Sequence, residues 1–327
     1  MKWLFFINFL LIAWFSQAQT IGKADVNNRF WHLDHRSDAS AAATGGCLMT
    51  SDQPSAAAWI NPAVLGFNTG QYGSATYHPL FTRLIPDASA ATMTMGYTRK
   101  NLGLGFLNQY TSISAIDSNG QSRTFAFYAM QPGLAVRLAR PISVGLTWGW
   151  DVYNEVDQQT EFRSHATSGS LGIFYTDTMH RDSATWIVSG GVSWSNLSSK
   201  VQFQFRDRQA VPSFINVGAS ITREEGRHAI KYQIEASNKE VGPFQLPSSV
   251  SLRTGIRYRY KWIQAGTGMY TTLTGTAHSP SGWNAGVGLV DDSYSVFLAI
   301  PVQETIAGES SFLPRGFMMS MNYHARP

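Results

Sequence analysis

Charge is scarce in this chain. Asp, Glu, Lys and Arg make up 14% of its 327 residues, about half the share usual in a soluble domain. Cysteine is nearly absent. With Cys47 alone, no disulfide framework forms within the chain and no Cys-type zinc site is available. That thiol, beside Gly45-Gly46, reads as a small buried residue, with a reactive thiol as the other reading. Beyond the N-terminus there is no apolar run of roughly 18 residues, so helical membrane spans are excluded. The formal net charge is only +4, too weak a bias to indicate a nucleic-acid partner.

The one apolar run is at the start. Lys2 is followed by Trp3 to Phe15, interrupted by Asn8, and then by Ser16-Gln17-Ala18. A short positive region, a greasy stretch and a small-residue cleavage site make a secretory signal peptide over 1–18. The next residue is Gln19 and not Cys, so a lipid anchor is not expected and export to the outer membrane is.

Glycine and aromatics are plentiful, with 29 Gly and 13% Phe, Trp and Tyr. The dominant pattern has period two. Ile142, Val144, Leu146, Trp148 and Trp150 fall on one face, and Ser143, Gly145, Thr147, Gly149 and Asp151 on the other. In a helix such residues would scatter all round; in a strand they make one greasy and one polar face. The spacing predicts fourteen strands: 72–80, 91–98, 102–111, 123–139, 142–153, 165–176, 184–194, 213–222, 228–237, 249–260, 263–271, 282–290, 294–302 and 316–323. In 123–139 the apolar phase switches at Pro132, from Phe125/Phe127 to Leu134/Val136/Leu138. A bulge or kink is expected there, because proline cannot donate to a ladder; two separate strands are the alternative.

The connections alternate between short and long without exception. Outer-membrane barrels pair short periplasmic turns with longer outer loops and have an even strand count. The chain is thus expected to be an all-β, 14-stranded transmembrane outer-membrane barrel over 72–327, preceded by a segment, 19–71, rich in Ala, Ser, Asp and Asn. That segment reads as a small hatch folded into the lumen, with a periplasmic tail as the alternative. Within it, Asn61-Pro62 is a turn initiator.

Certain motifs resemble a known group. Gly45-Gly46 followed by Asn61-Pro62-Ala63-Val64-Leu65-Gly66 resembles the opening of Bacteroidota outer-membrane barrels of the type IX secretion system. The Gly-Gly step and the stretch from Asp52 to Asn61 resemble the PorV/PorQ family. Leu102-Gly103-Leu104-Gly105-Phe106, Ile142-Ser143-Val144-Gly145-Leu146, Gly172-Ile173-Phe174-Tyr175 and Ser193-Trp194-Ser195-Asn196-Leu197 are similar to the PorP/SprF family. The Gly-Gly opening departs from PorP/SprF and the short loops from PorV. The resemblance implies a non-enzymatic component that holds or escorts secreted cargo or machine subunits, with outer-membrane lipid, lipopolysaccharide and secretion proteins as partners. The rival reading on the same hatch-plus-barrel plan is a FadL-like channel for a small hydrophobic or anionic solute. A channel should have an apolar pocket crossing the wall beside the hatch; a scaffold should have a filled lumen and large outer loops.

No catalytic, metal or cofactor site is expected. His32, Asp34 and His35 lie close together without a further ligand. His165 with Asp157, and His278 with Ser279, lack a third group. Asp291-Asp292 falls in a periplasmic turn. Gly266-x-Gly268 has no following helix and is not a phosphate loop. Asn196-Leu197-Ser198 is a sequon without meaning in a bacterial outer membrane. Two basic groups stand out. Arg253, Arg257, Arg259 and Lys261 share the polar face of one strand, and a charge facing lipid costs about 2–4 kcal/mol, so this face should look inward. There it would pair with carboxylates such as Asp52, Asp151 and Glu235, or attract anions. Lys200, Arg206 and Arg208 lie in the longest outer loop and are candidates for a partner or for lipopolysaccharide phosphates. The hatch motif is Gly45, Gly46, Asn61 and Pro62.

Overall fold

The computed structural model describes residues 38–51, 54–67, 69–80, 87–116, 122–156, 161–197, 201, 211–240, 249–274, 281–306, 309–311 and 317–325. The strands are β1 (Gly70–Leu80), β2 (Asp87–Arg99), β3 (Leu102–Ile116), β4 (Ser122–Ala139), β5 (Ile142–Val156), β6 (Glu161–Arg181), β7 (Ala184–Ser195), β8 (Ser213–Glu225), β9 (His228–Glu240), β10 (Ser249–Tyr260), β11 (Ile263–Thr274), β12 (Ser281–Val290), β13 (Tyr294–Ile306), the short β14 (Glu309–Ser311) and β15 (Met318–Ala325). Each pairs antiparallel with its sequence neighbour from β1 to β13. β13 then pairs with β15 and β15 with β1, which closes the ring. β14 only folds back on β13, so the wall has fourteen strands. Closure leaves no unpaired edge in the hydrocarbon layer.

The greasy face looks outward. Leu146, Trp148, Trp150, Leu171, Ile173 and Val217 are exposed on the wall, while Ser143, Thr147 and Asp151 between them are buried inside. Placing a charge on the outer row near the midplane costs about 2–4 kcal/mol. Val144→Arg should therefore abolish assembly, read as loss of heat-modifiable migration on a gel; normal migration would contradict the assigned face. Ser143→Arg is no mild counterpart. Ser143 is fully buried and its Oγ donates to the Ala63 carbonyl at 2.5 Å, so an arginine there collides with the hatch.

Pro132 does not bend β4 out of phase. β3 pairs with it directly, Phe106 opposite Pro132. Across to β5 the register is the same before and after it: Met130 faces Trp150 and Gly133 faces Thr147. The one shift on that side comes between Arg137 and Ala139. The alternation is unbroken, and Phe127 simply points into the lumen. The phase switch records a change in what lines the lumen, and the expected bulge at Pro132 is corrected accordingly.

The hatch lies inside the barrel and consists of α1 (Ala39–Ala43), α2 (Pro54–Ala57) and a 3₁₀ turn (Pro62–Phe67). Asp38 caps α1: its Oδ1 accepts from Ala41 N at 2.8 Å and from Ser40 Oγ at 2.6 Å. Burial pushes the Asp38 carboxyl above its ordinary range, against those two bonds. The signal-peptide assignment, 1–18, lies outside the described residues.

Candidate functional site

Glycines on the inner wall let the hatch backbone reach the strands. A Cβ at Gly145 would sit 2.5 Å from Ala63 N, and one at Gly255 2.5 Å from the Thr44 carbonyl. Gly45 has φ +73° and lies against the backbone of Met269, so it needs both the left-handed region and the missing Cβ. Asn61 Nδ2 donates to the Ile173 carbonyl at 2.9 Å, and its Oδ1 accepts from Ala63 N at 3.0 Å, closing the turn that Pro62 opens. Arg137 donates to the Gly66 carbonyl at 3.0 and 3.2 Å and stacks on the Phe67 ring, 4.6 Å from its centroid. Gly66-Phe67 is thereby held to β4.

The opposite side of the hatch is held by charge. Glu235 Oε2 accepts from Leu48 N at 2.8 Å and Met49 N at 2.9 Å. Arg253 stands 4.0 Å from the same carboxylate. Lys231 donates to the Thr50 carbonyl, and Gln233 donates to Thr44 Oγ1 at 2.5 Å. Arg257 is buried beside Gln264, whose amide, turned so that its oxygen faces the guanidinium, accepts at 2.8 and 3.1 Å. The four basic residues of β10 and its turn therefore divide. Arg253 and Arg257 are buried inside, Arg259 pairs with Glu224 at 2.9 Å at the rim, and Lys261 is in the exposed turn. Asp151 stands apart from this group, and Asp52 lies outside the described residues. Cys47 is buried, its Sγ 3.9 Å from the Gln233 carbonyl.

Beyond the hatch, toward the end of the barrel with the longer connections, the lumen changes character. Phe127, Ala129, Tyr153, Ala166, Val201 and Val211 form a buried apolar cluster, and Trp59 of the hatch packs against it. The Phe127 and Tyr153 rings are 5.1 Å apart. Phe127, Ala129, Tyr153 and Ala166 come from the inward faces of β4, β5 and β6, where a barrel wall is ordinarily polar. Val201 and Val211 belong to the long connection 196–212, so that segment contributes buried side chains to the lumen. Lys200, Arg206 and Arg208 lie outside the described residues, as do His32, Asp34, His35, Asp157, His278 and Ser279. Below the cluster is a polar band: Gln131 Nε2 donates to Ser168 Oγ at 2.8 Å, and Thr147 Oγ1 to Gln131 Oε1 at 3.1 Å. Sequence reasoning missed Phe127, Tyr153 and Trp59. The phase switch in β4 was the available signal.

On the outer face of the same wall is an apolar concavity of about 510 Å³, lined by Leu134, Val144, Leu146, Leu171, Ile173 and Trp194 and floored by Gly145 and Gly172. Asn61, Pro62 and Ala63 lie directly behind those two glycines. The wall is one backbone thick there. The β5–β6 ladder is continuous across it, so it is thin and not open.

No family model and no curated protein matches the chain. Solved structures do. The CymD monoaromatic hydrocarbon channel matches with a TM-score of 0.58 and 10% identity, over 89% of this chain and 98% of that one. The toluene transporter TbuX of Ralstonia pickettii gives 0.53 and 10% identity over 90% and 99%. A FadL homologue of Pseudomonas aeruginosa gives 0.52 and 9% identity over 94% and 100%. These findings overturn the type IX secretion resemblance, the PorP/SprF and PorV/PorQ assignments, the Bacteroidota origin they implied and the cargo-escort function. The physical reason is plain in the glycines: Gly103, Gly105, Gly145 and Gly172, which carried the resemblance, are where a hatch touches a wall. Any plugged barrel has that need. At these identities the likeness is one of fold: this chain has the hatch-filled, 14-stranded, outer-membrane barrel architecture found in the hydrocarbon channels.

Proposed function

We propose that the protein is a non-enzymatic channel carrying a small, mainly apolar solute across the outer membrane. The observation that carries this reading is the apolar cluster of Phe127, Ala129, Tyr153, Ala166, Val201 and Val211 above the hatch, where inward wall positions are ordinarily polar. A few aromatic and aliphatic side chains inside a concave wall are the usual lining of a small-molecule site. The wall at Gly145 and Gly172, greasy on its outer side, is one backbone thick, and a sideways exit into lipid there requires the β5–β6 ladder to part as well as the Asn61-Pro62-Ala63 turn to move. An anionic solute is less well supported, because Arg253 and Arg257 are engaged by Glu235 and Gln264. The outer loops face lipopolysaccharide in this reading.

Expression in a bacterial host lacking its own apolar-solute channels tests the proposal. Cells carrying the barrel should accumulate labelled ethylbenzene several-fold faster than cells carrying an empty vector. Equal rates, with the barrel present and heat-modifiable, would refute it.

A further inference from the structure

Three turns at the short-connection end of the barrel, the end that faces the periplasm in outer-membrane barrels, are tied side by side. They close the hairpins β8–β9, β10–β11 and β12–β13. Lys261 N donates to the Arg227 carbonyl at 2.9 Å, and Val290 N to the Trp262 carbonyl at 2.8 Å. Beside the first two turns, side chains on the outer face form a cluster. The His228 ring centroid lies 4.9 Å from that of Tyr260, and His228 Nδ1 is 2.6 Å from the Tyr258 hydroxyl. The Lys261 ammonium stands over the same Tyr260 ring, 5.4 Å from its centroid. Tyr258, Tyr260 and Trp262 are exposed. Tyr260 faces Ile263 across the ladder and Ile263 faces Leu289, so the cluster runs directly into the greasy belt.

The charges at this rim are of two kinds. Glu224 and Glu225 are engaged, by Arg259 and Arg223. Arg227 and Lys261 in the first two turns, and Asp291 and Asp292 in the third, are exposed and in no ion pair among the described residues. Cations and carboxylates thus stand on adjacent hairpins, because β11 and β12, which carry the second and third turns, are paired neighbours about 4.8 Å apart. The outer face of a barrel wall is covered by lipid, so the molecule that meets both charges at the edge of the greasy belt is a lipid headgroup. We propose that this rim holds one phospholipid of the periplasmic leaflet, and that its headgroup is a phosphoethanolamine. The phosphate lies against Lys261 and Arg227, the primary amine against Asp291 and Asp292, and the acyl chains over Ile263 and Leu289. A choline headgroup has no N–H to give the carboxylates. A glycerol headgroup brings a net negative charge beside two aspartates. The inference needs only the barrel and is independent of the solute reading.

The test is native mass spectrometry of the purified full-length barrel, offered an equimolar mixture of dioleoyl phosphatidylethanolamine, phosphatidylcholine and phosphatidylglycerol, which share their acyl chains. The wild-type protein should retain one phosphatidylethanolamine in preference to either rival by about two- to fivefold, the worth of one exposed ion pair. Lys261→Ala should remove the retained lipid. Lys100→Ala should not: that lysine has the same left-handed backbone in the β2–β3 turn, φ 55° against 53°, but no ring contact among the described residues. Asp291→Asn combined with Asp292→Asn should keep a lipid and bring the ethanolamine-to-choline ratio close to one. Heat-modifiable migration checks that each variant is folded, and the wild-type ratios decide the matter even where a variant is not. Equal retention of the three lipids by the wild-type protein overturns the proposal. Firmer retention of phosphatidylglycerol overturns the amine contact. Retention of chain-free glycerophosphoethanolamine as firm as that of the lipid overturns the assignment to a membrane lipid.

Discussion

Gly145→Val is expected to drive the hatch off the wall while the barrel stays closed. The new Cβ would lie 2.5 Å from Ala63 N, with the Pro62 carbonyl carbon equally close. Both are backbone atoms in a turn fixed by Asn61 and Pro62, so neither can yield by changing a rotamer. Overpacking of this kind costs about 1–3 kcal/mol even where side chains can move. Strand β5 itself gains from the exchange, since valine suits a pleated strand better than glycine. The conflict is therefore resolved at the hatch. Two readouts follow. In a planar bilayer the wild-type protein should show little conductance and the variant should show stable open steps. Proteinase K should cut the variant within residues 38–67 while sparing the wall. Gly73→Ala is the control, because the nearest atom to its Cβ, the Thr94 carbonyl oxygen, is 3.4 Å away, an ordinary contact. A Gly145→Val barrel that stays non-conducting and protease-resistant would mean that the glycines do not seat the hatch.

Phe127→Asp should slow apolar-solute uptake by tenfold or more with assembly intact. Phe127 is 5% exposed and faces the lumen, with its ring against Tyr153. Burying a phenylalanine side chain is worth about 1.5–3 kcal/mol, and about 1.4 kcal/mol is a factor of ten in affinity. The new carboxylate would also stand on the same inward patch as Asp151, adding like charge where a solute is to shed water. Phe127→Leu keeps the apolar surface and should retain most of the rate. Tyr128→Phe, on the lipid side of the same strand, should change nothing. Uptake of labelled ethylbenzene by cells separates these outcomes, and an undiminished rate in Phe127→Asp would remove the patch from the transport path.

The wall was legible in the sequence because its physics is local. A strand at the lipid boundary must alternate, and Ile142 to Asp151 does so. Fourteen such segments with alternating connection lengths leave one architecture. The interior was less legible because its contacts join residues far apart in the chain. Nothing in the neighbourhood of Gly145 says that Ala63 will be there, and the glycines could be taken for a family signature. Glu235 could be named as a pairing carboxylate, but that it accepts from the Leu48 and Met49 N–H groups is a fact of the hatch's path. In β4 the pattern itself was informative and admitted two explanations. A switch from Phe125/Phe127 to Leu134/Val136 means either that the strand turns over or that the lumen becomes apolar. The unbroken register through Pro132 selects the second, and the candidate site is its consequence.

The most direct measurement compares two fluxes through one reconstituted preparation. Vesicles with lipopolysaccharide in the outer leaflet, containing the wild-type barrel, are offered labelled ethylbenzene and labelled sucrose together. The account predicts faster ethylbenzene entry than in protein-free vesicles and no gain for sucrose, since the hatch and the apolar cluster close the lumen to water-borne solutes. Sucrose entry without any gain for ethylbenzene would contradict it.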